Sequence, residues 1–206
     1  MIVVRLPARG RVRIFIAEEG ISLETKTVDL ANGEHLTDAF GAINPHRTVP
    51  ILELDNGTKL FDSTSICMYL EETFPDPNLM GRDAKERATI AMWQRDVETN
   101  AMMAIMECFR NSSKGFKSRA LTGPVDYEQI PELAERGRQR VRHFFTELNA
   151  RLSGSEYVAG DRFTIVDITA FVAVEFSRAI REKVPDDAPH LKRWRDAVSA
   201  RPSTRA

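Results

Sequence analysis

The sequence predicts an α+β protein in two parts, a small sheet with helices followed by an all-helical region. Three observations predict it. Strand-like and helix-like signals alternate through the first third of the chain, as far as Phe74. A turn-rich stretch holding Pro75, Pro77, Asn78 and Gly81 then interrupts the pattern. Beyond it, every periodic stretch repeats at helical spacing and no convincing strand appears. The expected organisation is a mixed domain over residues 1–75, a linker over 76–84 and a helical domain over 85–206.

Ile2, Val3 and Val4 form a short β-branched run that predicts the first strand. Val12, Phe15 and Ile16 fall at helical spacing, and Gly20 follows as a stop signal. The stretch from Glu24 to Val28 alternates as a half-buried strand would. From Gly33 to Ile43, Leu36 and Phe40 lie four apart and predict a short helix. Strands are expected over Val49–Leu54 and Thr58–Phe61, joined by Asp55-Asn56-Gly57, which suits a tight hairpin. Ile66, Tyr69, Leu70 and Phe74 share a face of the helix that ends before Pro75. The predicted order is β-α-β-α-β-β-α.

In the second part, Ile90, Trp93 and Val97 open a long helix expected to reach about Phe109. Val141, Phe144, Phe145, Leu148 and Leu152 mark another. Thr164 to Ile180 is apolar nearly all round, as a helix buried in the middle of a bundle would be. Thr164 followed three residues later by Asp167 predicts a capping-box variant at its start. Leu191, Trp194 and Val198 mark the last helix.

With 206 residues, 42% hydrophobic and 29% charged, the chain can bury a substantial core and is not expected to be disordered. A net charge of -1 with both signs interspersed gives no footprint for nucleic acid or an anionic membrane. The apolar run in MIVVRLPARG is too short for a signal peptide, and no later stretch approaches a membrane span, so a cytoplasmic location is expected. Cys67 and Cys108 are isolated, without metal-ligand spacing, and read as reduced, buried thiols; no metal is expected.

The functional signal is concentrated in NPHRTVPILELDNGTKLFDSTSI, residues 44–66. Pro50 heads a strand and lacks a ladder donor, so it belongs at an edge or a turn. With a cis Val49–Pro50 bond, the Val49 N–H and C=O would face outward and could accept an extended peptide as an added strand. An ordinary trans proline opening an edge strand fits the spacing as well. Asp62-Ser63 stands at the start of the next helix, where unpaired N–H groups and a partial positive charge suit a carboxylate. There Ser63 can hold an α-carboxylate and Asp62 the adjacent ammonium, or either residue can simply cap the helix.

Taken together these motifs resemble the glutathione transferase family. NPxxTVPxLELDxGT followed by Asp-Ser and Ile66, Tyr69, Leu70 is similar to the family's glutathione site. FTIVDIT at 163–169 and the closing Leu191, Trp194 and Arg201-Pro202 match its helical half, so the resemblance spans about residues 12–202. It implies a thioredoxin-like N-terminal domain with a cis Pro50, plus an all-α C-terminal domain. It implies that Val49 pairs with the cysteinyl backbone of glutathione and that Asp62 and Ser63 bind its γ-glutamyl end. His35 of the GEH segment and Arg47, with Thr48 beside it, would lie near the glycine carboxylate. Glutathione is then a co-substrate and no cofactor is implied. The further expectations are a small hydrophobic electrophile, a homodimer and a role in detoxification.

The resemblance breaks where the thiol would be activated. Most members aim a Tyr, Ser or Cys at the sulfur from the loop before the first helix; Arg5 to Arg11 contains none of the three. The catalytic group is therefore unassigned. Arg9, Arg11 and the helix N-terminus can stabilise a thiolate electrostatically. GEH, TVPxLELDxGT and YVAGDRF are most similar to an atypical fungal and bacterial branch that also lacks the usual residue. That branch implies a water held by helical-domain side chains, with Phe109, Arg110 and Asn111 at matching positions. Met106, Phe109, Arg110 and Asn111 are the candidates for the second-substrate pocket. The alternative function is a non-catalytic glutathione-binding or regulatory interaction protein of the same fold.

Overall fold

The computed structural model describes residues 3–6 and 10–206. The chain divides into two compact units. The first runs to Asn78 and takes in Leu121–Asp126 and Arg205–Ala206; the second comprises Leu79–Ala120 and Tyr127–Thr204. The division at Asn78 and Leu79 falls inside the turn-rich stretch 76–84.

The first unit follows the order β1 (Val3–Leu6), α1 (Arg11–Glu18), β2 (Glu24–Thr27), α2 (Asp38–Ile43), β3 (Ile51–Glu53), β4 (Lys59–Leu60) and α3 (Ser63–Thr73). Its sheet has the strand order β2-β1-β3-β4, with β1 parallel to β2 and antiparallel to β3, and β3 antiparallel to β4. This is the thioredoxin-like arrangement. The central position of β3 explains why Ile51 and Leu52, which point to opposite faces, are both fully buried. Ile51 packs with Val28 and Phe40 on one side.

Three local expectations are corrected. β2 is not half-buried: all four of its residues are exposed, because it lies at the sheet's edge, and burial resumes only at Val28. The helix expected over Gly33–Ile43 is split into a 3-10 turn, Glu34–Leu36, and α2. Thr37 divides them by adopting an extended backbone and accepting a hydrogen bond from the Phe40 N–H as the cap of α2. The hairpin is tight as expected, but only Gly57 takes the left-handed conformation (φ 83°), with the Leu54 N–H bonded to the Thr58 carbonyl.

The second unit contains α4 (Ala84–Val97), α5 (Met103–Ser112), α6 (Pro131–Ser153), α7 (Ile165–Phe176) and α8 (Pro189–Ser199). The single long helix expected to reach Phe109 is realised as α4 and α5 joined without a break by a π turn, Glu98–Met102. One extra residue per turn shifts the apolar stripe too little to be legible in the spacing. α7 is the buried central helix. Its capping box is present: the Thr164 side chain caps the first turn while Asp167 accepts from the Thr164 N–H at 2.9 Å. Asp167 is fully buried and also accepts from the Val158 N–H and the Trp194 indole N–H, each at 2.9 Å. Burial pushes the Asp167 carboxyl up, and these hydrogen bonds oppose the shift.

Candidate functional site

The site of interest lies in the first unit, where the turn before β3 meets the start of α3. The turn is held from inside by Asn44, which is fully buried. Its amide donates to the Thr48 carbonyl at 2.9 Å and to Thr48 Oγ1 at 3.2 Å, while its oxygen accepts from the His46 N–H at 2.9 Å. The Val49–Pro50 bond is cis, as the resemblance implies, and so is Asp76–Pro77, which nothing in the sequence pattern marks. Neither the N–H nor the C=O of Val49 makes a hydrogen bond among the described residues.

Asp62 caps α3: its Oδ2 accepts from the Ser65 N–H at 2.8 Å and from Ser65 Oγ at 3.1 Å. Ser63 follows as the first helical residue, so its N–H belongs to the set that a helix cannot satisfy internally. Arg11, the first residue of α1, reaches the same turn and donates to Thr64 Oγ1 at 3.1 Å. Arg9 lies outside the described residues.

A cavity of about 460 Å³ opens here, lined by His46, Thr48, Phe61, Asp62 and the segment Thr122–Gly123–Pro124, all within the first unit. Its size is in the range of small-molecule sites. The His46 and Phe61 rings meet edge-on with centroids 6.1 Å apart. Of the six residues expected to hold glutathione, Thr48 and Asp62 line this cavity, and Val49 and Ser63 are their chain neighbours. His35 stands in the 3-10 turn before α2 and is not part of the lining; His46 is. Arg47, in a left-handed conformation (φ 52°), turns its guanidinium to the Leu36 carbonyl and to Asp38 Oδ1, the latter at 3.0 Å.

His46, Phe61, Asn44 and Thr122–Pro124 were not singled out by sequence reasoning. The Asn-Pro pair marks a turn, but a ring's or an amide's direction has no sequence signature. Thr122–Pro124 joins the site only through chain folding across about sixty residues.

The residues assigned to a second substrate belong to the second unit. Phe109 packs edge-on against Phe116 and Phe176, with centroids 5.1 and 5.2 Å away. Arg110 is buried, donates to the carbonyls of Ala120 and Arg119 at 3.2 and 2.6 Å, and lies 4.3 Å over the Phe116 ring. Burial holds its guanidinium below the usual arginine range. Asn111 donates to the Glu107 carbonyl and accepts from the Ile130 N–H. Both side chains thus fasten the connection between α5 and α6, while Met106 and Phe109 remain half-buried.

Cys67 is fully buried on α3, and burial pushes its thiol up to about 12, so it is a packing residue and not a nucleophile. Among the described residues no group of three or more His, Cys, Asp or Glu side chains could hold a metal ion, and no helix is long and apolar enough to cross a membrane.

Comparison with known proteins identifies the family. Residues 10–73 match the family model for the glutathione S-transferase N-terminal domain, and residues 97–202 match that for the C-terminal domain. Glutathione S-transferase 2 of Saccharomyces cerevisiae is 31% identical over 97% of this chain and 84% of its own length. Maleylacetoacetate isomerase of Pseudomonas aeruginosa is 30% identical over 95% of this chain and 88% of its own. Among solved structures, a glutathione S-transferase domain-containing protein of Marinobacter aquaeolei is 35% identical and superposes with a TM-score of 0.88, covering 98% of this chain and 99% of its own.

Proposed function

The chain belongs to the glutathione S-transferase family, and from that premise we propose that it is an enzyme that joins glutathione to small hydrophobic electrophiles, or uses it to reduce them. The observation that carries this reading is the juxtaposition of an unpaired Val49 backbone with the capped start of α3, at the edge of a cavity lined by Thr48 and Asp62. The Val49 N–H donates to, and its C=O accepts from, the cysteinyl residue of glutathione as an added strand. Ser63, at the positive end of α3, takes the γ-glutamyl carboxylate, and Asp62 takes the ammonium. Arg47 and His35 act from the turns behind the glycine end; His46 is the imidazole in the cavity itself.

The cysteinyl sulfur must lose its proton before it can attack. We assign the stabilisation of the thiolate to Arg11, whose bond to Thr64 holds its guanidinium at the start of α3, and to the N-terminus of α1. The thiolate then attacks the electrophilic carbon, and the displaced group leaves with the bonding pair or, in an addition, the neighbouring atom that receives the displaced electron pair takes up a proton. A homodimer, a cytoplasmic location and a detoxifying role belong to the same reading.

A glutathione-binding protein without turnover is the second reading, motivated by the absence of Tyr, Ser and Cys from positions 5–11. One experiment separates the two. Glutathione-dependent turnover is measured across a panel of electrophiles in the wild type and in Asp62→Ala, with calorimetry on both. Turnover that disappears in the variant supports the enzyme. Binding heat without turnover leaves the second reading, and no heat at all overturns both.

A further inference from the structure

The helix pair that bears the site has a second point of attachment that glutathione binding does not use. α1 and α3 pack side by side. At their starts Arg11 donates to Thr64 Oγ1. At their far ends Glu19, the residue that closes α1, faces Glu71 in the last turns of α3. Glu19 is only 6% exposed, and among the described residues neither of its carboxyl oxygens meets a donor. Its neighbour is another acceptor: Glu71, equally buried, takes a hydrogen bond from the Asn78 amide at 2.6 Å.

Two carboxyls can hydrogen-bond to one another only if the pair holds a proton. Among the described residues, the other charges that raise Glu19 are acidic, Glu18 on its own helix and Asp76 in the segment after α3. Cys67 on α3, which feels the charges of both Glu19 and Glu71, stays a thiol because burial pushes it up to about 12. Both glutamates also lie at helix C-termini, where the backbone's partial negative charge disfavours a further anion. A cavity of about 350 Å³ beside them, lined by Glu19, Ser22, Thr73 and Asp76 among others, gives water access to the neighbourhood. The Glu19 oxygens themselves are closed to it, so the occupant that fits between the carboxyls is a proton and not a hydrated cation.

We propose that Glu19 and Glu71 share one proton, which clasps the C-terminal ends of α1 and α3, and that losing it loosens the helix pair on which the glutathione site is built. Burial, then the charge of Glu71, pushes Glu19 up from 4.5 to about 8. The folded chain therefore keeps a proton that the unfolded chain releases, and raising the pH favours unfolding. The clasp's contribution is complete below about pH 4.5, shrinks as pH rises and is gone above about pH 8.

The test is thermal unfolding of the full chain across this window, in the wild type and in Glu19→Gln, whose amide donates to Glu71 without titrating. The wild-type Tm is expected to fall toward the alkaline end while the Glu19→Gln curve stays nearly flat; parallel curves overturn the proposal. Should the variant not fold, the infrared band of a protonated buried carboxyl decides. Its presence in the wild type at neutral pH, and its loss near pH 8, support the clasp; its absence overturns it. Repeating the scan in chelator-treated buffer with tetramethylammonium as the added cation must leave the wild-type pH dependence intact, since its disappearance would mean that a metal cation fills the gap.

The coupling to the site rests on the glutathione reading and is tested with S-methylglutathione, whose blocked sulfur does not titrate. Its affinity should weaken several-fold from neutral pH to above pH 8 in the wild type and less in Glu19→Gln; equal weakening overturns the coupling. Failure of both proteins to bind S-methylglutathione at any pH overturns the site reading, while the unfolding curves still judge the clasp.

Discussion

Asp62 has two tasks that substitution can separate. As the cap of α3 it satisfies the Ser65 N–H, and as a carboxylate it is the proposed partner of the glutathione ammonium. Asn is as good a cap as Asp but carries no charge. Asp62→Asn is therefore expected to keep nearly all the thermal stability and to weaken glutathione binding about tenfold or more, the worth of one hydrogen bond to a charged group. Asp62→Ala should lose the cap as well, at about 1 kcal/mol. Calorimetry beside a melting curve checks both, and equal glutathione affinity in Asp62→Asn and wild type would contradict the assignment. Asn44 is the complementary case. It touches no ligand, yet its buried amide and oxygen serve Thr48 and the His46 N–H. Asn44→Ala leaves those groups without partners and should cost about 1–3 kcal/mol of stability. The same variant should weaken glutathione binding, because the turn bearing Val49 loses its internal brace. Asp62 was legible as a helix cap because helix starts have a composition. Asn44 was legible only as part of a turn, because burial is not written in the residue type.

At the scale of elements, Gly137 of α6 lies close against the backbone of α5. A Cβ there would meet the Ala104 carbonyl oxygen at 2.6 Å and the Cys108 backbone nitrogen at 2.8 Å on the facing α5. Both obstacles are backbone, so neither can swing aside. Gly137→Ala gains helix propensity but must push two helices apart; it should lose stability on balance, by about 1–3 kcal/mol in a denaturant titration. An unchanged or raised midpoint would mean that the helices separate freely. The start of α7 gives a second prediction. All four hydrogen bonds to Asp167 come from donors: the Val158 and Thr164 N–H groups, the Trp194 indole and the Thr164 hydroxyl. Asp167→Asn must turn an amide N–H toward one of them, and a loss of about 3 kcal/mol is expected, because a donor is left buried against a donor. Helix identity was legible here: the apolar stretch, the Thr164–Asp167 spacing and the Trp194 stripe all pointed to the observed elements. The π turn at Glu98–Met102 and the break at Thr37 were not: the first changes hydrogen bonding by one residue and leaves the hydrophobic stripe nearly in place, and the second is one extended residue between Leu36 and Phe40, whose spacing still reads as helical.

For the molecule as a whole, Cys67 offers a probe of cooperative opening. The thiol is fully buried in the core of the first unit and held far above its usual range, so it cannot react while α3 is docked. Alkylation in the native state is expected to be slow at neutral pH and to accelerate with the same denaturant dependence as unfolding of the first unit. Fast labelling without denaturant would show that α3 opens by itself. If the Glu19–Glu71 proton clasps α1 to α3, labelling should also speed up more steeply with pH than thiolate formation alone accounts for, and that excess should vanish in Glu19→Gln.

By itself the sequence determined the two-part organisation, the family resemblance, and two of the stretches of chain that line the cavity. These are properties of short spans: a hairpin dipeptide, a cap, a repeat of apolar residues, an Asp-Ser at a helix start. Only the tertiary structure decided that the cavity uses His46 rather than His35, that Arg47 turns back onto α2's own segment, and that Thr122–Pro124 joins Asp62. It alone brought Glu19 against Glu71. The physical reason is the same each time. A hydrophobic or capping pattern acts over a few residues and leaves a local trace, whereas the direction of a polar side chain and the charge of a buried acid depend on which distant groups the fold places within reach.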